Sequence, residues 1–482
     1  MSSERIKPYS DIPAPPLQND DWRTHALRFT LDPLTVMNEL KAYGNVVALV
    51  QGGNGALMFP GEDCPGTIFV FGADLNRQIL TRTDDFHSGP IIGPIYSAWK
   101  DDPRLAVLKR VGTGLFSLNG EAHQRQRRLI QPAFHRKQIE LYARNMIEIA
   151  GRTVQKWEVG QRLDFQREMF DHTLLVAGKC LFGQDFGDAT YHIGNLIQRW
   201  LELIPLVAVE APADDYEAFF KVSRQIDDQI RSIISLKRSG VGEGQDVLAE
   251  LVRVRDDAGD VLTEDELIGH INILLTAGHE TTANVLSWTV FLLAQHPDVM
   301  RLVYEELDRV LCGSALSIDK LSDLVFLDDV IRESMRVFPP VTIGSRVTSH
   351  ETNLLDYHLP KGTEVVFSHY HTHHDPVLYE EPSRFIPQRW SAIQPTPYEY
   401  LPFSAGVKMC IGAPFALMEI KITLAMLLQR FRFKVVGDSV IQRHVWVPLR
   451  PDHMPLVVCE QDGCFEDSSA VVGGSILEMV SF

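Results

Sequence analysis

Residues 403–412 read Phe403-Ser404-Ala405-Gly406-Val407-Lys408-Met409-Cys410-Ile411-Gly412. Each conspicuous position has a physical task if Cys410 ligates a metal. Gly406 and Gly412 permit backbone conformations that a Cβ resists, and they let the chain approach a flat ligand. An apolar run suited to a helix follows at residues 413–429, so Cys410 falls just ahead of a helix N-terminus. The free N–H groups and dipole there favour a thiolate. Phe403 can cover the sulfur, and Lys408 supplies a cation for an anionic ligand group. A structural cysteine beside a turn would account for Cys410 alone. It would not account for the phenylalanine, the glycines, the cation and the helix start at fixed offsets around it.

Working outward, Glu333-Ser334-Met335-Arg336 places an acid and a base at i and i+3 on one helix face, and Pro339-Pro340 stops that helix. By itself such a pair reads as a surface ion pair. Downstream come Phe385 and Pro387-Gln388-Arg389-Trp390. The longest helical pattern begins at Thr263, where Thr263 and Glu266 form a capping box. It runs for about 32 residues, or ~48 Å, until His296-Pro297. Most of its sides are apolar, which predicts burial. Its centre, however, reads Ala277-Gly278-His279-Glu280-Thr281-Thr282. A glycine and several polar groups are costly there unless a ligand, water or cavity compensates. His123 and Arg127 lie one turn apart after Asn119-Gly120, and Arg346 closes Ile343-Gly344-Ser345-Arg346.

The chain as a whole has 482 residues, 45% apolar and 23% charged, with a formal charge of -17. That is globular composition; it excludes disordered, collagen-like and coiled-coil classes. Strong acidity argues against nucleic-acid binding. No apolar run approaches the ~18–20 residues of a membrane span, and the N-terminus lacks the apolar core of a signal peptide. These features predict a soluble, cytoplasmic protein without a transmembrane anchor. Cys64, Cys180, Cys312, Cys459 and Cys464 are scattered and suggest no disulfide framework. The run His369-x-His371-x-His373-His374 would share one face on a strand, but reads better as a turn after a strand than as a metal site. Residues 1–30 are a polar, proline-rich, irregular lead-in, and residues 461–482 an irregular tail. Short strands are expected at 45–50, 67–71, 364–367 and 445–447. Asp74 can cap a short helix carrying Leu75, Ile79 and Leu80, and helices dominate from residue 138.

Together these motifs resemble those of the cytochrome P450 family, over roughly residues 31–460. The resemblance implies one large, mainly α-helical domain with small β-sheets (α+β, the cytochrome P450 fold). It implies haem b held through Cys410 as thiolate ligand. Phe403, Gly406 and Gly412 would shape the cysteine loop, while Ala277 and Gly278 would leave room beside the haem. His123, Arg127, Arg346 and Lys408 match propionate contacts, with lysine where the family more often has arginine. Glu333, Arg336 and Arg389 would form a network bracing the loop; Gln388 and Trp390 depart from the consensus at positions that need not carry charge. Glu280 and Thr281 match the acid–alcohol pair that delivers protons for O–O cleavage. The expected activity is monooxygenation of a lipophilic molecule by O2, with electrons from a separate ferredoxin or flavodoxin. Peroxide-driven peroxygenase and non-catalytic haem sensor are the alternatives. By analogy the pocket is lined by Ile91, Ile92, Ile95, Tyr96, Leu274, Val341, Ile343 and Trp446, which suits a terpenoid, a polyketide or a fatty acid. The basic residues Arg125, Arg127, Arg128, Arg136 and Lys137 are expected to face the electron donor.

Overall fold

The computed structural model describes residues 6–15, 22–51, 57–58, 64–89, 101–183, 188–208, 213–239, 244–256, 258–445 and 448–482. Its axis is the helix Glu264–Gln295. The capping box forms as the sequence predicts: Thr263 Oγ1 accepts from Glu266 N at 3.2 Å, and Glu266 Oε2 accepts from Thr263 N at 2.8 Å. A helix apolar on nearly all sides must be wrapped on all sides. The helices Phe165–Phe182, Leu105–Gly112, Val325–Val337 and Ala413–Arg430 do the wrapping. They share one continuous apolar core with it, including Trp288, Phe291, Leu292 and Leu428.

To one side lies a five-stranded sheet in the order Val46–Gln51, Gly66–Val70, Glu364–Ser368, Ile343–Thr348, Phe86–His87. Gly66–Val70 and Glu364–Ser368 run parallel, and the other neighbours are antiparallel. A smaller sheet joins Arg162–Asp164, Pro455–Glu460 and Phe431–Val435. Among the described residues, no helix is long and apolar enough to cross a membrane.

Some local expectations change. The lead-in is helical at Trp22–Leu31. The helix Ala73–Thr81 starts at Gly72, with Asp74 inside its first turn rather than at its cap. The histidine run is a short buried helix, His369–His373, capped by Ser368 Oγ, which accepts from His371 N at 3.1 Å. Its imidazoles serve packing and internal hydrogen bonds. Burial pushes His371 and His374 down to about 3 and His369 to about 4, so all three are neutral. Among the described residues, no cluster of three His, Cys, Asp or Glu could hold a metal ion.

Residues 461–482 are mostly irregular yet docked. Phe465, Val472, Ile476 and Met479 are buried. Val472–Gly473 pairs in parallel with Ser439–Val440. Gln295, at the end of the central helix, exchanges two hydrogen bonds with the Ala470 backbone (2.9 and 3.1 Å). Ser481 N donates to Ser383 O at 2.9 Å.

Candidate active site

The cysteine loop is closed by its own backbone: Cys410 N donates to Phe403 O at 2.9 Å. Gly406 has φ +74, and a Cβ there would lie 2.7 Å from Leu80 O. No other residue fits that close approach without displacing backbone. Gly412 caps the helix Ala413–Arg430, and the N–H groups of Gly412 and Ala413 reach the Cys410 sulfur. Burial pushes the Cys410 thiol up, while these donors and the nearby Arg127 guanidinium oppose the shift. Cys410 is nonetheless exposed, with Ile411 and Gly412 half-buried beside it. Phe403 packs at the edge of the main core.

The central helix is buried before and after its middle but not at it. Ile273, Leu274, Thr276, Gly278, Glu280 and Thr281 are half-buried, and Ala277 is exposed. Among the described residues, a Cβ on Gly278 would meet nothing within 4 Å. The buried Thr276 Oγ1 has no partner among the described residues. The interior is therefore hollow where the sequence places its costly polar residues. Thr281 Oγ1 donates to Ala277 O at 2.7 Å, and Thr282 Oγ1 to Gly278 O at 2.9 Å. Burial pushes the Glu280 carboxyl up; Arg450 opposes the shift and Glu202 adds to it.

Four basic side chains converge beside the loop without a described carboxylate to neutralise them. Burial pushes Arg346 down to about 10. Burial and then Arg346 push Lys408 down to about 7. Burial, Lys408, Arg127 and Arg346 push His123 down to about 4, so it is a neutral N–H donor. Arg127 Nη1 donates to Met409 O at 2.9 Å. Lys408 Nζ donates to Ser88 Oγ at 2.9 Å, to Asn119 Oδ1 at 2.7 Å and to Leu118 O. Buried cations are ordinarily paired, so this cluster fits an anionic ligand. The accessible thiol, the hollow helix and the cation cluster together fit haem.

Opposite effects on the empty and loaded protein follow. Arg346 has a depressed pKa, so its burial costs stability that persists at neutral pH and is relieved only as pH rises through about 10. Arg346→Met should leave the thermal midpoint of the haem-free protein unchanged or higher, yet weaken haem binding roughly tenfold, about 1.4 kcal/mol. Calorimetry of the haem-free protein and haem transfer to an acceptor globin measure the two.

Behind the loop, Glu333 and Arg336 are wholly buried. Arg336 donates Nε to Glu333 Oε2 at 3.0 Å and Nη2 to Oε1 at 2.9 Å. Arg389 Nε and Ile386 N add bonds to Oε1 at 2.9 and 3.0 Å. Trp390 Nε1 donates to Oε2 at 3.0 Å. The Trp390 departure from the consensus is thus a fourth arm of the network, which sequence reasoning missed. Arg336 further donates to His373 O (2.9 Å), Pro382 O (2.7 Å) and Arg384 O (2.9 Å). His373 Nε2 in turn accepts from Leu401 N at 2.7 Å, two residues before Phe403. The network and the cysteine loop are mechanically continuous.

Among the pocket residues, Leu274 lies in the hollow stretch and Val341 is half-buried. Ile343 instead is buried in the sheet core with Phe69 and Val366, because its strand turns that side chain inward. Ile91, Ile92, Ile95, Tyr96 and Trp446 lie outside the described residues. Two residues of the expected docking face have partners within the fold. Arg125 is engaged within the fold by Asp260, by Glu266 Oε1 (2.7 Å) and by Val261 O (2.9 Å). Arg128 pairs with Asp256 at 3.3 Å.

This arrangement fits a haem-binding protein, and comparison with known proteins gives the family. The family model described as Cytochrome P450 matches residues 91–449. Cyclooctatin synthase of Streptomyces melanosporofaciens is 31% identical over 435 residues, 87% of this chain and 89% of its own. Cyclooctat-9-en-7-ol 5-monooxygenase of the same organism is 30% identical over 451 residues (90% and 92%). Pentalenene oxygenase of Streptomyces avermitilis is 28% identical over 433 residues (87% and 90%). The retinoic acid-bound cyanobacterial CYP120A1 superposes with a TM-score of 0.80 at 23% identity, over 93% of this chain and 100% of its own. The chain belongs to the cytochrome P450 family and is a cytochrome P450 monooxygenase.

Proposed function

We propose that this protein is a cytoplasmic monooxygenase of terpenoid-like lipophilic substrates, using haem b and a separate ferredoxin- or flavodoxin-type donor. The observation that carries the haem reading is the convergence of an accessible Cys410 thiol, four basic side chains without a described carboxylate, and the hollow centre of a buried helix. The names of the relatives support the substrate class: pentalenene oxygenase and cyclooctat-9-en-7-ol 5-monooxygenase are named for an olefinic hydrocarbon and an olefinic alcohol. Apolar Ile273, Leu274 and Ala277 along the hollow fit such compounds.

When bound, haem supplies the dioxygen chemistry, and a thiolate ligand favours O–O cleavage. Cys410 provides that thiolate, stabilised by the N–H groups of Gly412 and Ala413. Arg127, Arg346, Lys408 and neutral His123 would hold its propionates. Ala277 and Gly278 keep the helix face low. Glu280 takes protons from solvent, and the Thr281 hydroxyl, released from Ala277 O, holds them at the reaction face. One oxygen atom enters the substrate. The other leaves as water, at the expense of two electrons from the donor and two protons.

A low-spin to high-spin titration with sesquiterpene and diterpene olefins should identify binders. With a binder and a surrogate ferredoxin system, Thr281→Ala should divert most reducing equivalents to hydrogen peroxide. Full coupling in that variant would remove Thr281 from the mechanism. Equal turnover with peroxide alone would favour a peroxygenase.

A further inference from the structure

Glu280 is the single carboxylate of the central helix beyond its first turn, and it does not stand alone. Its Oε1 lies 3.9 Å from Arg450 Nε. Arg450 sits in the strand Leu449–Pro451, directly across from His444 in Arg443–Val445. That hairpin is fastened to the surroundings of Glu280. Trp288 Nε1, on the central helix, donates to Leu449 O at 3.4 Å, and Leu449 N donates to Pro340 O at 3.0 Å. The Arg450 side chain is 45% exposed and that of Glu280 18%. The guanidinium therefore spans from bulk water to a mostly buried acid at the edge of the hollow.

We propose that Arg450 is a positioning residue for dioxygen activation, holding the Glu280 carboxylate toward solvent between successive proton deliveries. This rests on the reading of Glu280 as the relay acid. The step moves no electrons. A solvent proton adds to a Glu280 carboxylate oxygen, the Arg450 contact loosens, and an equal proton leaves Glu280 toward the Thr281 hydroxyl. A pair this open contributes little to folding, so its worth lies in the charge and direction of the acid. Among the described residues, the charged groups that act on Glu280 are Arg450, which lowers its pKa, and Glu202 from the helix Asp188–Ala208, which raises it. His444 faces Arg450 and is pushed down by burial first and then by that arginine, so it adds no charge at neutral pH.

The test is an infrared pH titration of the ferric holoenzyme, with the Glu280 carboxyl band assigned by its loss in Glu280→Gln. In Arg450→Gln the midpoint should rise by about half a pH unit or more, with the thermal midpoint unchanged, and Arg450→Lys should restore part of the shift. The pH dependence of coupling, product formed per reducing equivalent, should move upward with it. An unmoved carboxyl midpoint in Arg450→Gln overturns the proposal at the ion pair. A moved midpoint with wild-type coupling in Glu280→Gln overturns it through its premise, and so separates failure of Arg450 from failure of Glu280.

Discussion

Cys410→Ser should abolish monooxygenation while leaving the fold intact. The loop is shaped by Gly406 against Leu80 O and by the hydrogen bond from Cys410 N to Phe403 O; neither uses the sulfur. Far-UV circular dichroism should therefore match wild type. What is lost is a soft anion aimed at the ligand by the helix start. The reduced, carbon-monoxide-bound spectrum should lose its strongly red-shifted Soret band, and product formation should fall to background. The buried Cys64 and Cys180 are poor thiolate donors, since burial pushes Cys64 up to about 11 and Cys180 well above the ordinary thiol value. A Cys410→Ser protein that keeps the red-shifted band would refute thiolate ligation at this position. The raised Cys410 pKa adds a pH dependence: the free thiol holds its proton at neutral pH, and ligation releases it. Thiolate-ligated haem should therefore be favoured as pH rises and lost as it falls.

The parts of this site that were legible in sequence are those whose partners are near in sequence or whose spacing is rigid. The cysteine loop, the i,i+3 pair Glu333/Arg336 and the Thr263–Glu266 capping box are of that kind. The hollow centre of the long helix was legible as a contradiction, polar residues in an apolar helix, without saying what resolved it. The roles of Trp390, Arg450, Ser88 and Asn119 escaped notice because they come from contacts across 57 to 320 positions in the chain. The internal partners of Arg125 escaped notice for the same reason. Its run of basic neighbours suggested a docking face, whereas Asp260 and Glu266 claim it from 135 and 141 positions away. The histidine run gave an alternating pattern compatible with a strand, but the Ser368 cap and the need to bury the imidazoles turned it into helix. The docked tail has no local signature, because its scattered apolar residues acquire meaning only against the main core, with Gln295 and Ser383 fixing its backbone.

Arg336→Ala should be the most damaging substitution outside the cysteine itself. Arg336 is buried and satisfies both Glu333 oxygens and three backbone carbonyls. Removing it leaves Glu333 with Arg389, Ile386 N and Trp390, and strips donors from His373, Pro382 and Arg384. Breaking one side of a buried pair costs about 3–5 kcal/mol, against a total stability of roughly 5–15 kcal/mol for a folded domain. The damage should travel along a defined route, since His373 holds Leu401 and Leu401 leads into the cysteine loop. Low soluble yield and haem-free protein are the expected results, read by absorbance ratio and thermal unfolding. Arg336→Lys keeps the charge but cannot reproduce the fork that spans Oε1 and Oε2; it should fold, retain less haem and convert readily to the form without thiolate ligation. Arg389→Met should be milder, because Arg389 supplies one bond to Glu333 and its other contacts are carbonyls near the surface. That ranking, Arg336→Ala worse than Arg336→Lys and both worse than Arg389→Met, distinguishes a network that sets the geometry of the loop from one that merely adds charge pairs. If Arg336→Lys were indistinguishable from wild type, charge alone would suffice and the geometric account would fail.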